Sequence, residues 1–509
     1  MNRTAIIFMT AFALVVVALT FGVNDIASHP GPAVGPGALP DKPGSGQSSD
    51  STGGHTDNAG KPAPSTENLA CSPRAPATVR ASLTGGSIQA ALSQSKLLRS
   101  ASGELFVSFD IDIEDMVLED RRPLDLALVI DRSGSMRGPP MTHAKQAAMG
   151  LVDRLGPQDR VSIVTYDTTI ERVIGTTVVD DAGRQRLKEA ISRIQPRGMT
   201  NIHGGLGMGY QELAGAESRG SIARLAHLSD GIANTGVTDQ NAMVTLASNA
   251  AMRGIRTTSI GLGVNYNEQL MEALAEAGRG QYYYVRHAET LDEVFAGELR
   301  NMQATVATQV ELRIEPCEGV QVAEVYGLRS RLEGSTTVVD LADLAGGDQR
   351  RVIARLSTAG ADQASLPVLN ATLRYQDVDE GRTRYATMAL AAGTSFQADV
   401  IDASVNRDVM AQVIEVQGSV ALREATASFR RGDRQAAARR LERTQRDLTE
   451  QANRYQVSQA PAARRTSGII DSFRNLFGAS ADALAGEEAR EVELEAQVEA
   501  RAMERSRRD

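Results

Sequence analysis

At 509 residues the chain is too long for one ordinary domain, and two to four folded units are expected. Its 42% hydrophobic and 23% charged residues are those of a globular protein, although Trp is absent. A net charge of −9 argues against the basic footprint of a nucleic-acid binder, so no nucleic-acid partner is expected.

The chain opens with Arg3 and then an uncharged apolar run, Ala5 to Val23. This run is about long enough to cross a bilayer and longer than a usual signal-peptide core, so residues 1–23 are expected to form a membrane anchor in preference to a cleaved signal. The basic side stays in the cytoplasm. The bulk is therefore expected outside, as a single-pass inner-membrane protein with a periplasmic or extracellular body, or secreted if the segment is cleaved. Residues 24–76 are rich in Gly, Pro, Ser and Asp and cannot bury enough apolar surface to offset ordering, as expected for a disordered linker. Cys71 and Cys317 are the two cysteines of the chain. An oxidising compartment permits a disulfide between them, and two unpaired thiols fit the sequence equally well.

Folded patterning begins near Ala77. In "ELFVSFDIDIEDM", Leu105, Val107, Phe109, Ile111 and Ile113 alternate with Ser108, Asp110, Asp112 and Glu114, the period of a strand with one buried face. The alternation returns in "QVELRIEP", "RRVIARLS" and "VLNATLRYQD". Residues 77–122 and 303–405 thus read as two parts of one antiparallel β-sandwich interrupted by the intervening block. That block, residues 123–302, alternates short apolar strands ("LDLALVID", "RVSIVTYD", "RLAHLSD", "RTTSIGLG") with helical stretches. The pattern predicts an α/β fold with a doubly wound, mostly parallel, Rossmann-like sheet and an antiparallel hairpin at one edge, where "ERVIGTTVV" follows "RVSIVTYD". Residues 406–509 form a helical region: two helices joined at Arg431-Gly432-Asp433, with Asp433 capping the second, and a charged tail helix expected to be solvated.

The chemistry collects at strand ends in the central block. "VIDRSGSM" closes its first strand with Asp131, Ser133 and Ser135 around Gly134; "RGMTNIHGG" supplies Thr200; "HLSDGIANTG" supplies Asp230 after another strand. Open α/β sheets place ligand sites at the carboxyl ends of their strands. Carboxylate and hydroxyl oxygens are hard donors suited to Mg²⁺, with Mn²⁺ or Ca²⁺ the alternatives of the same chemistry, and not to zinc. One such loop alone would read as a helix cap; three together point to a metal. Asn201 and Asn234 are placed to orient these loops, and His203 lies close to Thr200. His143, His227 and His287 lack H-E-x-x-H spacing, and Gly205, Gly207 and Gly209 read as close packing inside a helix instead of a dinucleotide loop.

The constellation resembles the metal-ion-dependent adhesion site (MIDAS) of the von Willebrand factor type A (VWA) domain, in the layout of bacterial envelope proteins that carry one. All five elements match: Asp131, Ser133, Ser135, Thr200 and Asp230. The resemblance implies a VWA fold over residues 123–302. It further implies direct coordination by the two serines, acids acting largely through water, and a protein partner presenting Asp or Glu to the metal. The expected function is therefore metal-dependent protein binding, as an adhesion or scaffold module at the cell envelope, with no catalytic residues. The alternatives are a regulatory subunit of a metal-dependent or ATP-driven complex, and a metal that only stabilises the fold.

Overall fold

The computed structural model describes residues 70–115, 122–216, 220–263, 266–285, 288–478 and 487–505. The apolar run 5–23, the linker up to residue 69 and His287 lie outside them. Among the described residues, no helix is long and apolar enough to cross a membrane.

The central block is a six-stranded sheet of β1 (Leu124–Asp131), β2 (Arg160–Tyr166), β3 (Ile170–Val178), β4 (Ile222–Ser229), β5 (Arg256–Leu262) and β6 (Arg279–Val285), in the order β6-β5-β4-β1-β2-β3. Neighbours pair in parallel except β2 with β3, the hairpin edge expected from the sequence. All of β1 is buried, because helices cover both faces of the sheet. Leu126, Leu128 and Ile130 face a core built with α1 (Pro139–Arg154), α2 (Asp181–Ser192) and α6 (Leu291–Gln303). Ala127 and Val129 face a second core built with α3 (Ile202–Glu212), α4 (Gln240–Met252) and α5 (Glu268–Ala277). The sheet is doubly wound. In α3, a side chain at Gly205 would collide with the ring of Tyr166, and one at Gly209 with Val129 and Leu225. Those two glycines let the helix lie close on the sheet, whereas Gly207 meets nothing.

Strands from both sides of this block share one sandwich core. In one sheet Gln349–Thr358 pairs with Gly103–Ile113, placing Val352 opposite Phe109. The other is built on Thr305–Pro316, Ser365–Asp377 and Thr383–Ser395. Val107, Phe109 and Ile111 of the first sheet share a cluster with Leu312, Ile314 and Leu373 of the second. Cys71 and Cys317 are disulfide-bonded, with their Cα atoms 5.9 Å apart, tying the chain before the first sandwich strand to the end of Thr305–Pro316.

Two expectations change. The strand Gly103–Ile113 is not solvated on its second face: Phe106 joins Ile353, Val409, Met410 and Val413 in an apolar cluster under the helix Arg407–Arg430. The tail helix Glu487–Arg505 is not a solvated helix either. Val492, Leu494, Ala496, Ala500 and Met503 are buried, four of them in a cluster with Leu422, Ile470 and Phe473. A helix over Pro461–Gly478, unread in the sequence, completes that cluster. Its signals were Pro461 at the first turn and Ile469, Ile470, Phe473 and Phe477 at helical spacing.

The central block and the sandwich meet at a buried ionic cluster. Asp343 accepts from Arg256 Nε at 2.8 Å and from Arg224 at 2.8 Å, and both arginines are nearly fully buried. Arg224 and Arg256 sit on β4 and β5, whereas Asp343 precedes the short strand Leu344–Ala345 of the sandwich.

Candidate metal centre

At its C-terminal end β1 delivers Asp131 into the crevice between β4 and β2, and the chain turns at once. The Ser133 N–H donates to Asp131 Oδ1 at 2.8 Å, a local turn that aspartate favours. The turn is pinned from outside: Arg132 N–H donates to the Tyr166 carbonyl at 3.0 Å and Gly134 N–H to the Gly198 carbonyl at 3.2 Å. Ser133 Oγ and Ser135 Oγ then stand 3.0 Å apart, and Ser135 donates to Asp230 Oδ1 at 2.7 Å. The other Asp131 oxygen accepts from Ser229, the last residue of β4, at 2.6 Å. A methyl group built at Gly231 would lie 3.4 Å from Thr200 Oγ1 and 3.6 Å from Asp131 Oδ2, so that glycine stands between the second and third loops without filling the space. Asp131, Ser133, Ser135, Thr200 and Asp230 are therefore brought together.

Their supports are polar and specific. Thr200 N–H donates to Asn234 Oδ1 at 2.8 Å, and Asn234 N–H donates back to the Thr200 carbonyl at 3.1 Å. Asn201 accepts from Gly204 N–H at 3.0 Å and so caps α3. Both asparagines do what the sequence suggested. Arg132 and Arg197 both bond Asp167, at 2.7 and 2.9 Å, and this clamps the loop leading to Thr200 onto the end of β1. Burial raises the Asp167 carboxyl, yet bonds from Arg197, Thr169 and Arg132 outweigh it and hold the group at about 2.

The sequence reading missed Ser229, Tyr166, Asp167 and His227. Tyr166 and His227 are fully buried behind the site, with Tyr166 Oη 2.7 Å from His227 Nε2, and burial drives the imidazole down to about 3. The only cue was a polar residue at the inward end of each apolar strand.

Electrostatically the pit holds two acids that resist ionisation. Burial pushes Asp131 up despite the bonds from Ser229 and Ser133. Burial also raises Asp230 to about 6, aided by the nearby charge of Asp131. Among the described residues no three of His, Cys, Asp or Glu converge on one point. The donors here are two carboxylates with three hydroxyls, an all-oxygen set that fits a hard divalent cation.

Residues 125–297 match the von Willebrand factor type A domain family. An uncharacterized protein of Synechocystis sp., sll0103, is 27% identical over 64% of this chain and 78% of its own length. YfbK of Escherichia coli, also uncharacterized, is 30% identical over 40% of this chain and 36% of its own. The inter-alpha-trypsin inhibitor heavy chain H3 of Rattus norvegicus is 28% identical over 31% of this chain, a match that spans only 18% of that protein. Among solved structures, the von Willebrand factor type A protein from Catenulispora acidiphila superposes with a TM-score of 0.63 at 16% identity, covering 83% of this chain and 97% of that one. The ArnB paralog VWA2 of Sulfolobus acidocaldarius gives 0.52 at 17% identity, covering 83% and 98%. At these identities the two structures speak for the fold alone. Residues 125–297 are a von Willebrand factor type A domain, set in a chain that adds a β-sandwich and C-terminal helices to it.

Proposed function

We propose that the chain is a metal-dependent protein-binding module of the cell envelope, and that Asp131, Ser133, Ser135, Thr200 and Asp230 form a complete MIDAS holding Mg²⁺. The observation that carries this reading is the convergence of these five oxygen-bearing side chains from three loops at the carboxyl edge of one sheet. Asp131 has one oxygen on Ser133 N–H and the other on Ser229, an arrangement suited to acting through water. The hydroxyls of Ser133, Ser135 and Thr200 suit direct contact. The ion would supply an electrophilic docking point for an anionic oxygen. Hydroxyl donors leave much of its charge uncompensated, so the partner group is an Asp or Glu side chain. That makes the site a bridge between proteins and assigns it no catalytic step.

The same reading puts the folded body outside the cytoplasm, anchored by residues 5–23. The disulfide between Cys71 and Cys317 supports an oxidising compartment.

The test is capture from an envelope extract by the immobilised chain, in Mg²⁺ and in chelator, with calorimetric titration of Mg²⁺ alongside. Metal-bridged binding predicts partners that are retained only in Mg²⁺ and lost with Asp131→Ala. Identical profiles in both lanes would refute it. Loss of thermal stability in step with loss of capture in Asp230→Ala would assign the metal a structural role instead.

A further inference from the structure

The loops that carry the metal ligands also expose large apolar side chains. Met199, directly before Thr200, is 48% exposed; Ile232, two residues after Asp230, is 56% exposed; Val237 is 44% exposed. Isolated apolar residues on a surface need no explanation. These three differ because they sit on the loops that build the pit, beside its polar residues. Met199 N–H donates to Thr168 Oγ1 at 3.0 Å, and Gly198 before it accepts from Gly134 in the first loop. Ile232 follows Gly231, which sits against Thr200 and Asp131. Val237 follows Gly236, whose positive φ of 70° seats it on the side chain of Asn201. Thr200 itself is buried and Asp230 half-buried, whereas the residues beside them project outward. The site is thus a polar pit with an apolar rim on preformed loops.

We infer that Met199, Ile232 and Val237 select the partner, by requiring the acidic side chain offered to the metal to be bracketed by large apolar residues. This rests on the metal-bridge reading above and adds its specificity. Charge complementarity fixes the centre of the partner's motif: an electrophilic ion in hydroxyl ligands calls for a carboxylate. The rim fixes its flanks. An Asp or Glu among other charged or hydroxylated residues would leave the rim's apolar surface wet, whereas leucine-sized neighbours would cover it. Burying three half-exposed side chains of this size is enough to discriminate about tenfold between acids on otherwise similar loops. The ordered loops add to this, because little conformational freedom remains to be lost on binding.

The test uses the full chain and biosensor surfaces carrying three capped peptides: Ser-Leu-Asp-Leu-Ser, Ser-Ser-Asp-Ser-Ser and Ser-Leu-Asn-Leu-Ser. In Mg²⁺ the leucine-flanked Asp peptide should bind about tenfold more tightly than the serine-flanked one, and the Asn peptide should stay at background. Chelator should abolish all three signals. Combining Met199→Ser, Ile232→Ser and Val237→Ser should bring the ratio below about twofold. Mg²⁺ affinity and Tm should hold, since the three side chains point to solvent. Met252→Ser with Leu332→Ser, both 72% exposed elsewhere, should leave the ratio unchanged. A chain that binds Mg²⁺ and takes both Asp peptides equally overturns this inference and leaves the metal bridge standing. A chain that binds no Mg²⁺ overturns the metal bridge itself. A chain that binds Mg²⁺ but no Asp peptide overturns acid capture at this face, and the rim's role with it.

Discussion

Ser229 donates a 2.6 Å hydrogen bond to Asp131 across neighbouring strands, from the end of β4 to the end of β1. The two residues are 98 positions apart, and both are fully buried. The hydroxyl occupies one carboxylate oxygen while the Ser133 N–H occupies the other, so Asp131 is fixed in orientation before any ion arrives. Outer supports of this kind usually contribute 10–100-fold to metal affinity. Ser229→Ala should therefore raise the Kd for Mg²⁺ by about 10–100-fold, and should lower stability by about 1–3 kcal/mol because a buried acceptor loses its donor. Titration calorimetry with a parallel denaturant melt checks both; an unchanged Kd would show that Asp131 is held without this bond.

Asp230 gives the site a pH signature. Its carboxyl is raised to about 6 from an ordinary 3.8. A raised acid favours the fold in its protonated form, so that contribution is full below about pH 4 and is lost as pH rises through about 6. In chelator, Asp230→Asn should thus match the parent at pH 4 and exceed its Tm at pH 7. With Mg²⁺ the gap at pH 7 should close to near zero. A ligand at 100 times its Kd stabilises by about 2.7 kcal/mol, and Asn would forfeit most of that. Proton and metal compete for the same oxygens, so the parent's Mg²⁺ affinity should fall as pH drops below about 6.

The Asp343 clamp predicts a larger effect. Asp343→Ala would leave Arg224 and Arg256 buried against each other without the carboxylate they share, a loss of about 3–5 kcal/mol. Replacing all three by apolar residues of similar volume should recover most of it. Equilibrium denaturation of the single and triple variants decides the point; equal losses in both would mean that the clamp itself, beyond the uncompensated charge, stabilises the contact.

Removing the disulfide should cost about 2–4 kcal/mol, since it closes a long loop in the unfolded chain, its ends 246 positions apart. Cys71→Ser with Cys317→Ser should lower the unfolding free energy by that amount in a denaturant melt and leave Mg²⁺ affinity unaltered, because the bond ties the sandwich and lies outside the loops of the candidate site.

The loops of the candidate site were legible in the sequence because each follows directly from its strand. A parallel strand covered on both faces must be a continuous apolar run, so the first acid or hydroxyl after it marks the carboxyl edge where ligands sit. Asp131, Ser133, Ser135 and Asp230 all announce themselves in this way, and Thr200 does so through the cap of the helix that follows it. The apolar run of β1 and the alternation in Gly103–Ile113 likewise fixed the doubly wound sheet and the sandwich, for burial on two faces and on one leaves different periods.

Contacts between segments far apart in the chain were decided only by the tertiary structure. No local pattern links Ser229 to Asp131, or Asp343 to two arginines about a hundred positions away, because such pairs depend on strand order and on which loops face each other. Phe106 lies on the polar side of its strand's alternation, and only the packing shows that the helix Arg407–Arg430 covers it. The tail Glu487–Arg505 is charged enough to read as solvated, yet its narrow apolar stripe is buried once Pro461–Gly478 and Arg407–Arg430 present a matching surface. The period of the sequence determines which face of an element is apolar. What covers that face, and which polar groups meet behind it, depends on how the elements pack in three dimensions.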